Sequence, residues 1–144
     1  THLLVIDRDL LIISVVQHNW NEVIIDKGES LFQLGPWQLS LELGHGLPEI
    51  FIENEANIDA WELTFPLTWR KWKAGDVFFP LGMEHKKKLS DFFIDKKVSI
   101  ADKELVTVLE SEGKIAWVAG HRIDDRFKVT SKTTSVVKFS LTRA

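Results

Sequence analysis

Residues 79–95, Phe79-Pro80-Leu81-Gly82-Met83-Glu84-His85-Lys86-Lys87-Lys88-Leu89-Ser90-Asp91-Phe92-Phe93-Ile94-Asp95, decide the fold class. Leu89, Phe92 and Phe93 recur at i, i+3 and i+4, one face of a helix. Ser90 is placed to act as its N-cap, and Asp91 sits in the first turn, where its charge suits the helix dipole. Ahead of the helix, Pro80 to Gly82 form a tight turn that runs into Lys86, Lys87 and Lys88. Three adjacent cations beside a helix start repel each other and the dipole unless an anion is expected there.

Outward from this stretch the chain reads as strands. Leu67 to Lys73 alternates, with Trp69, Lys71 and Lys73 on one face and Arg70 and Trp72 on the other. Ala74-Gly75-Asp76 turns the chain and Val77 to Phe79 lead into the helical stretch. Earlier, Leu3 to Ile6 and Leu10 to Val16 read as one hairpin. Glu22 to Asp26 and Leu31 to Leu34 read as a second, closed by Lys27-Gly28-Glu29-Ser30. After a break at Gly35-Pro36, Gln38 to Leu43 alternates strictly, as a half-buried strand does. Residues 44–48 read as a loop, Glu49 to Asn57 is ambiguous, and residues 58–65 resume the period of two. Downstream, Ile100 to Leu105 suggests another helical turn. Val106 to Leu109 and Lys114 to Ala119 flank a Glu112-Gly113 turn, and Arg126 to Thr130 and Ser135 to Leu141 flank a polar loop. The class is α+β and strand-rich, with one or two short helices.

At 144 residues the chain is one domain or two small ones, with 44% hydrophobic and 27% charged residues, as in a globular protein. No apolar run approaches the roughly 20 residues that cross a bilayer, so no membrane is expected as partner. The chain opens Thr1-His2-Leu3 without a signal peptide or initiator Met, so it is expected to start inside a longer polypeptide. Cysteine is absent, which excludes disulfides, thiolate catalysis and cysteine metal sites and fits a cytoplasmic location. Charge is uneven: residues 1–66 carry 2 cations and 11 anions, residues 67–103 carry 9 and 5, and residues 104–144 carry 7 and 5. Charge changes sign at Pro66. The expected division is therefore an acidic antiparallel β region at 1–66 and a basic α+β part at 67–144.

No catalytic constellation stands out. There is no G-x-S-x-G elbow and no G-x-x-x-x-G-K-[ST] phosphate loop. His121, Asp124 and Asp125 could be drawn as a metal site, but vicinal aspartates in a loop more often form turns. Anion binding is better supported. Lys86, Lys87 and Lys88 precede the helix, Lys96 and Lys97 follow it, and Arg70, Lys71 and Lys73 interleave with Trp69 and Trp72. Such a mixture suits contacts to phosphates and bases. Arg122, Arg126 and Lys128 extend the set. The plain alternative is a set of surface cations beside Asp91, Asp95 and Asp125.

Several blocks resemble the C-terminal domain of the tRNA(Ile)-lysidine synthetase family. They are Leu67 to Asp76, Phe79 to Met83, Lys87 to Asp95, Ile115 to Asp124 and Arg126 to Val129, in the family's order. Thr1 to Arg8 resembles the segment that leads into that region. Glu84-His85 departs from the family's usual basic residue and glycine. The resemblance implies a sandwich-like core of antiparallel sheets. It implies a non-catalytic fragment with no cofactor of its own, in which RNA contacts fall to Arg70, Lys73, Lys86, Lys87, Lys88, Lys96, Lys97, Arg122, Arg126 and Lys128. The implied partners are tRNA(Ile), gripped by shape and phosphate near the acceptor stem, and an N-terminal catalytic domain in cis. That domain would use ATP with Mg and lysine to modify the wobble cytidine. Two other readings stand beside it. One is an interaction module without RNA contact, building a homodimer or docking onto the catalytic domain. The other is a Trp-lined carbohydrate module, which requires an exposed coplanar Trp pair.

Overall fold

The computed structural model describes residues 20–44 and 54–143. In chain order the strands are β1 (Val23–Ile25), β2 (Leu31–Leu34), β3 (Trp37–Gly44), β4 (Glu55–Asp59), β5 (Leu67–Lys71), β6 (Val77–Phe78) and β7 (Lys87–Lys88). Helices α1 (Leu89–Asp95) and α2 (Ile100–Lys103) follow, then β8 (Thr107–Ser111), β9 (Lys114–Val118), β10 (Arg122–Ile123) and β11 (Val136–Arg143). The central sheet has the order β1-β5-β8-β9-β10 and the outer sheet β2-β3-β11-β4, every pair antiparallel, while β6 and β7 form a separate ribbon. The fold is α+β and strand-rich, as the sequence implies.

The central sheet is covered on both faces, so its middle strands lack the polar alternation of a half-exposed strand. Leu67, Trp69, Leu109 and Trp117 face the outer sheet and meet Phe32, Leu39, Ile58 and Phe139 in a shared core. Val108, Ile115 and Val118 face the other way, against Phe78, Leu89, Phe92 and Phe93. This second core is what the i, i+3, i+4 pattern of α1 serves. Phe78 and Phe93 are edge-on to Phe92 at 5.2 and 5.9 Å, a favourable quadrupole arrangement.

Both sheets draw strands from each side of Pro66. β1 pairs with β5, and β11 lies between β3 and β4, with Phe139 opposite both Leu41 and Ala56. The expected hairpin of Glu22 to Leu34 is corrected: β1 joins the central sheet and β2 the outer one. The hairpin partner of β2 is β3, through a two-residue Gly35-Pro36 turn with Gly35 at φ 55°. The strand expected over 58–65 ends at Asp59, whose carboxylate accepts from Trp61 N–H at 2.9 Å and starts a 3₁₀ turn, Ala60–Glu62. Arg126 to Thr130 is likewise no strand; Asp124 caps a 3₁₀ turn at Asp125–Phe127. Ser90 is not the N-cap of α1. The helix starts at Leu89, Lys88 occupies the cap position without a side-chain bond, and Leu89 N–H donates to Asp76 C=O at 2.9 Å. The expected hairpin of residues 3–16 and the loop at 45–48 lie outside the described residues.

Candidate nucleic-acid interface

The layer over the central sheet is fastened by acids that bond inward. Asp124 is fully buried and its carboxylate accepts from Phe79 N–H at 2.9 Å, from Arg126 N–H at 2.8 Å and from the Arg126 guanidinium at two points. Asp124 N–H in turn donates to Ala116 C=O, one step beyond the β9–β10 pairing of Ile123 with Trp117. Asp125 accepts from Gly82 N–H at 3.0 Å and pairs with Lys128 at 3.2 Å. The Gly82 N–H bond and then the hydrogen bond from Lys128 hold the Asp125 carboxyl below its ordinary value, against a smaller opposing push from burial. The aspartates expected to form a turn thus clamp the Pro80–Gly82 turn. Among the described residues no group of three or more His, Asp or Glu is placed to hold a metal ion.

The basic residues divide by their partners. The Arg70 guanidinium is 11% exposed, donating to both oxygens of Asp76 at 3.0 Å and to Glu110 at 2.9 Å. Burial by itself would lower its pKa, but hydrogen bonds and charge from Asp76 and Glu110 outweigh that and raise it. Lys87 pairs with Asp95 at the far end of α1. Successive strand residues point to opposite faces, so the Lys86–Lys88 triplet is not one cluster: Lys86 and Lys88 stay exposed. Arg126 is held by Asp124 and stacks over Phe79 at 4.5 Å, while Arg122 lies over Phe92 at 5.4 Å. Lys73, Lys96, Lys97 and Lys128 are exposed.

One cleft of about 1030 Å³ joins residues distant in sequence. Lys96 and Lys97 line it from the end of α1, Asp102 from α2, Gly120 and His121 from the turn after β9, and Trp37 and Arg143 from the outer sheet. His121 sits edge-on to Phe92 and Phe93 at 6.4 and 6.0 Å. The Arg143 guanidinium lies over Trp37 at 5.0 Å, and Trp37 Nε1 donates to Leu105 C=O at 2.8 Å. Sequence reading found the two lysines, weighed His121 only as a metal ligand, and missed Trp37 and Arg143. The pairing of β3 with β11 places Arg143 opposite Trp37, and no local signal marks that. Among the tryptophans, Trp69 and Trp117 are buried and Trp61 alone is largely exposed, at 91%. An exposed coplanar pair for a sugar is therefore not formed among the described residues.

Strand order and placement of the helix define the class: a two-sheet α+β domain whose helical layer carries exposed cations beside an aromatic core. The family follows from comparison. The chain belongs to the TilS substrate C-terminal domain family, whose family model matches residues 67–139. It is 38% identical to a tRNA(Ile)-lysidine synthase of Parabacteroides distasonis over 95% of this chain and 32% of that protein. It is also 38% identical to that of Bacteroides thetaiotaomicron over 94% of this chain and 30% of that protein. The chain thus spans about a third of the length of these curated relatives. A solved structure described as the crystal structure of TILS C-terminal domain superposes with a TM-score of 0.72 at 19% identity, covering 85% of this chain and 98% of that one. At that identity the likeness establishes the fold. Among the described residues no helix is long and apolar enough to cross a membrane.

Proposed function

We propose that this chain is the tRNA-holding part of a cytoplasmic, ATP-dependent tRNA(Ile)-lysidine synthase. In this reading it grips tRNA(Ile) near the acceptor stem, while a catalytic domain in the same polypeptide uses ATP with Mg and joins lysine to the wobble cytidine. The observation that carries the reading is the set of exposed cations between the end of β5 and the end of α1: Lys73, Lys86, Lys88, Lys96 and Lys97. Helical RNA offers phosphates and 2′-hydroxyls rather than base edges, and such a surface matches it. Arg70, Lys87, Arg126 and Lys128 bond carboxylates within the fold and support it instead.

The test is binding of tRNA(Ile) to the full chain as salt is varied. The double variant Lys86→Gln/Lys88→Gln lowers the log-log salt slope by about two and weakens binding, because each phosphate contact contributes about one counterion to the slope. Failure to bind tRNA at low salt, or an unchanged slope, overturns the reading. Ile94 and Ile100, 69% and 76% exposed between the lysines, favour one alternative, docking of this layer onto the catalytic domain or a second copy. A concentration-dependent dimer that is lost on Ile94→Glu would support it.

A further inference from the structure

The cleft between α1, α2, the turn at residues 119–121 and the end of β11 has a chemistry that a duplex-gripping surface does not need. Its lining combines Lys96, Lys97 and Arg143 with the indole of Trp37, and Asp102 is its one carboxylate. The indole cannot swing freely, since its N–H is held by Leu105 C=O. Arg143, an exposed residue of the last strand, holds its guanidinium over the ring at 5.0 Å. A flat cationic platform beside two lysines fits an unstacked base with its phosphates. Asp102 can accept from a base amino group or ribose hydroxyl, which a bare phosphate does not offer.

Lys97 adds a separate argument. Val98 N–H donates to Phe93 C=O at 2.9 Å and Lys97 N–H to Ile94 C=O at 3.0 Å, the paired bonds of a Schellman helix end. In that motif the residue at the position of Lys97 is left-handed and usually glycine; here φ is 57° with a lysine. The chain thus keeps a long cationic side chain where glycine is less strained, and that side chain lines the cleft. Strain retained at a lined concavity points to use of the side chain.

We infer that this cleft binds a single-stranded stretch of RNA, phosphates on Lys96 and Lys97 and a base on the Arg143–Trp37 stack. The inference deepens the RNA-holding reading and rests on it. The test titrates the full chain with one short RNA hairpin that is blunt, or carries an unpaired extension at its 3′ end or at its 5′ end. An extended hairpin binds roughly tenfold more tightly than the blunt one, the size expected of one stacked base. Arg143→Ala and Lys97→Gly each abolish that preference, and Lys97→Gly at the same time raises the thermal midpoint by about 3 °C, since the backbone strain is relieved. Equal affinity for blunt and extended hairpins, or a preference that survives both substitutions, overturns the inference and leaves duplex gripping intact. Absence of binding to every hairpin at low salt overturns both.

Discussion

The outer sheet and the helical layer lie on opposite faces of the same central sheet, and acids are buried in the second but, among the described residues, not in the first. Beside the outer strands Glu29, Glu42 and Glu62 stand exposed, as do Glu22 and Asp26 at the ends of β1. In the helical layer Asp76 and Asp124 are buried, and Asp76, Asp95, Asp124 and Asp125 each hold a basic side chain. Three of them also bind backbone: Asp76 accepts from Lys73 N–H, Asp124 from Phe79 N–H and Asp125 from Gly82 N–H. These four acids act as fasteners, while Glu84, Asp91, Asp102 and Glu104 stand exposed among the lysines, and in the outer sheet Glu55 pairs with Lys138 and Asp59 accepts from Trp61 N–H. A charge tally along the chain registers the sign of each region but not this difference in role.

The largest test of the contrast is Arg70→Ala. It strands Asp76 and Glu110 beside a covered face, and breaking one partner of a buried ion group costs about 3 kcal/mol. Denaturant unfolding should show that loss, with tRNA affinity per folded molecule unchanged. A stable variant with weakened tRNA binding would instead place Arg70 among the contacts. A smaller effect is expected at Asp125. Its folded-state carboxyl is lowered, so its contribution is complete above the ordinary carboxylate range near pH 4. The contribution disappears as pH falls through the lowered value. Amide exchange at Gly82 should therefore accelerate in acid, and Asp125→Asn should remove that acid dependence. The smallest effect belongs to the outer sheet. Glu29→Gln with Glu42→Gln should leave stability within about 0.5 kcal/mol, as exposed substitutions usually do. It should also leave tRNA affinity unaltered; a tenfold gain would show that the acidic face, too, approaches RNA.

Legibility in the sequence followed the range of the interaction. The alternation of Gln38 to Leu43 and the spacing of Leu89, Phe92 and Phe93 state a local period, and both elements form where those periods lie. The hairpin assigned to Glu22–Leu34 did not form because β1 finds β5, with Val23 opposite Trp69, and nothing near Val23 encodes so distant a partner. Asp59 and Asp124 ended expected strands through side-chain bonds to backbone N–H groups two residues on, a competition that hydrophobic pattern does not weigh. The same division holds for the candidate site. Lys96 and Lys97 are visible as a pair beside a helix, whereas Trp37 and Arg143 meet only through an eight-residue strand pairing.

That pairing also orders events during synthesis. β3 and β4 each pair with β11 and leave the ribosome long before residues 136–143 do. Until then their inner edges expose unpaired backbone N–H and C=O groups next to Leu39 and Ile58, a template for association with other chains. The central sheet, by contrast, has β1, β5, β8, β9 and β10 all in place once Ile123 is made. A nascent chain therefore passes through a stage with a finished basic layer and an open acidic sheet, and the strand from Val136 to Arg143 is the bolt that closes it.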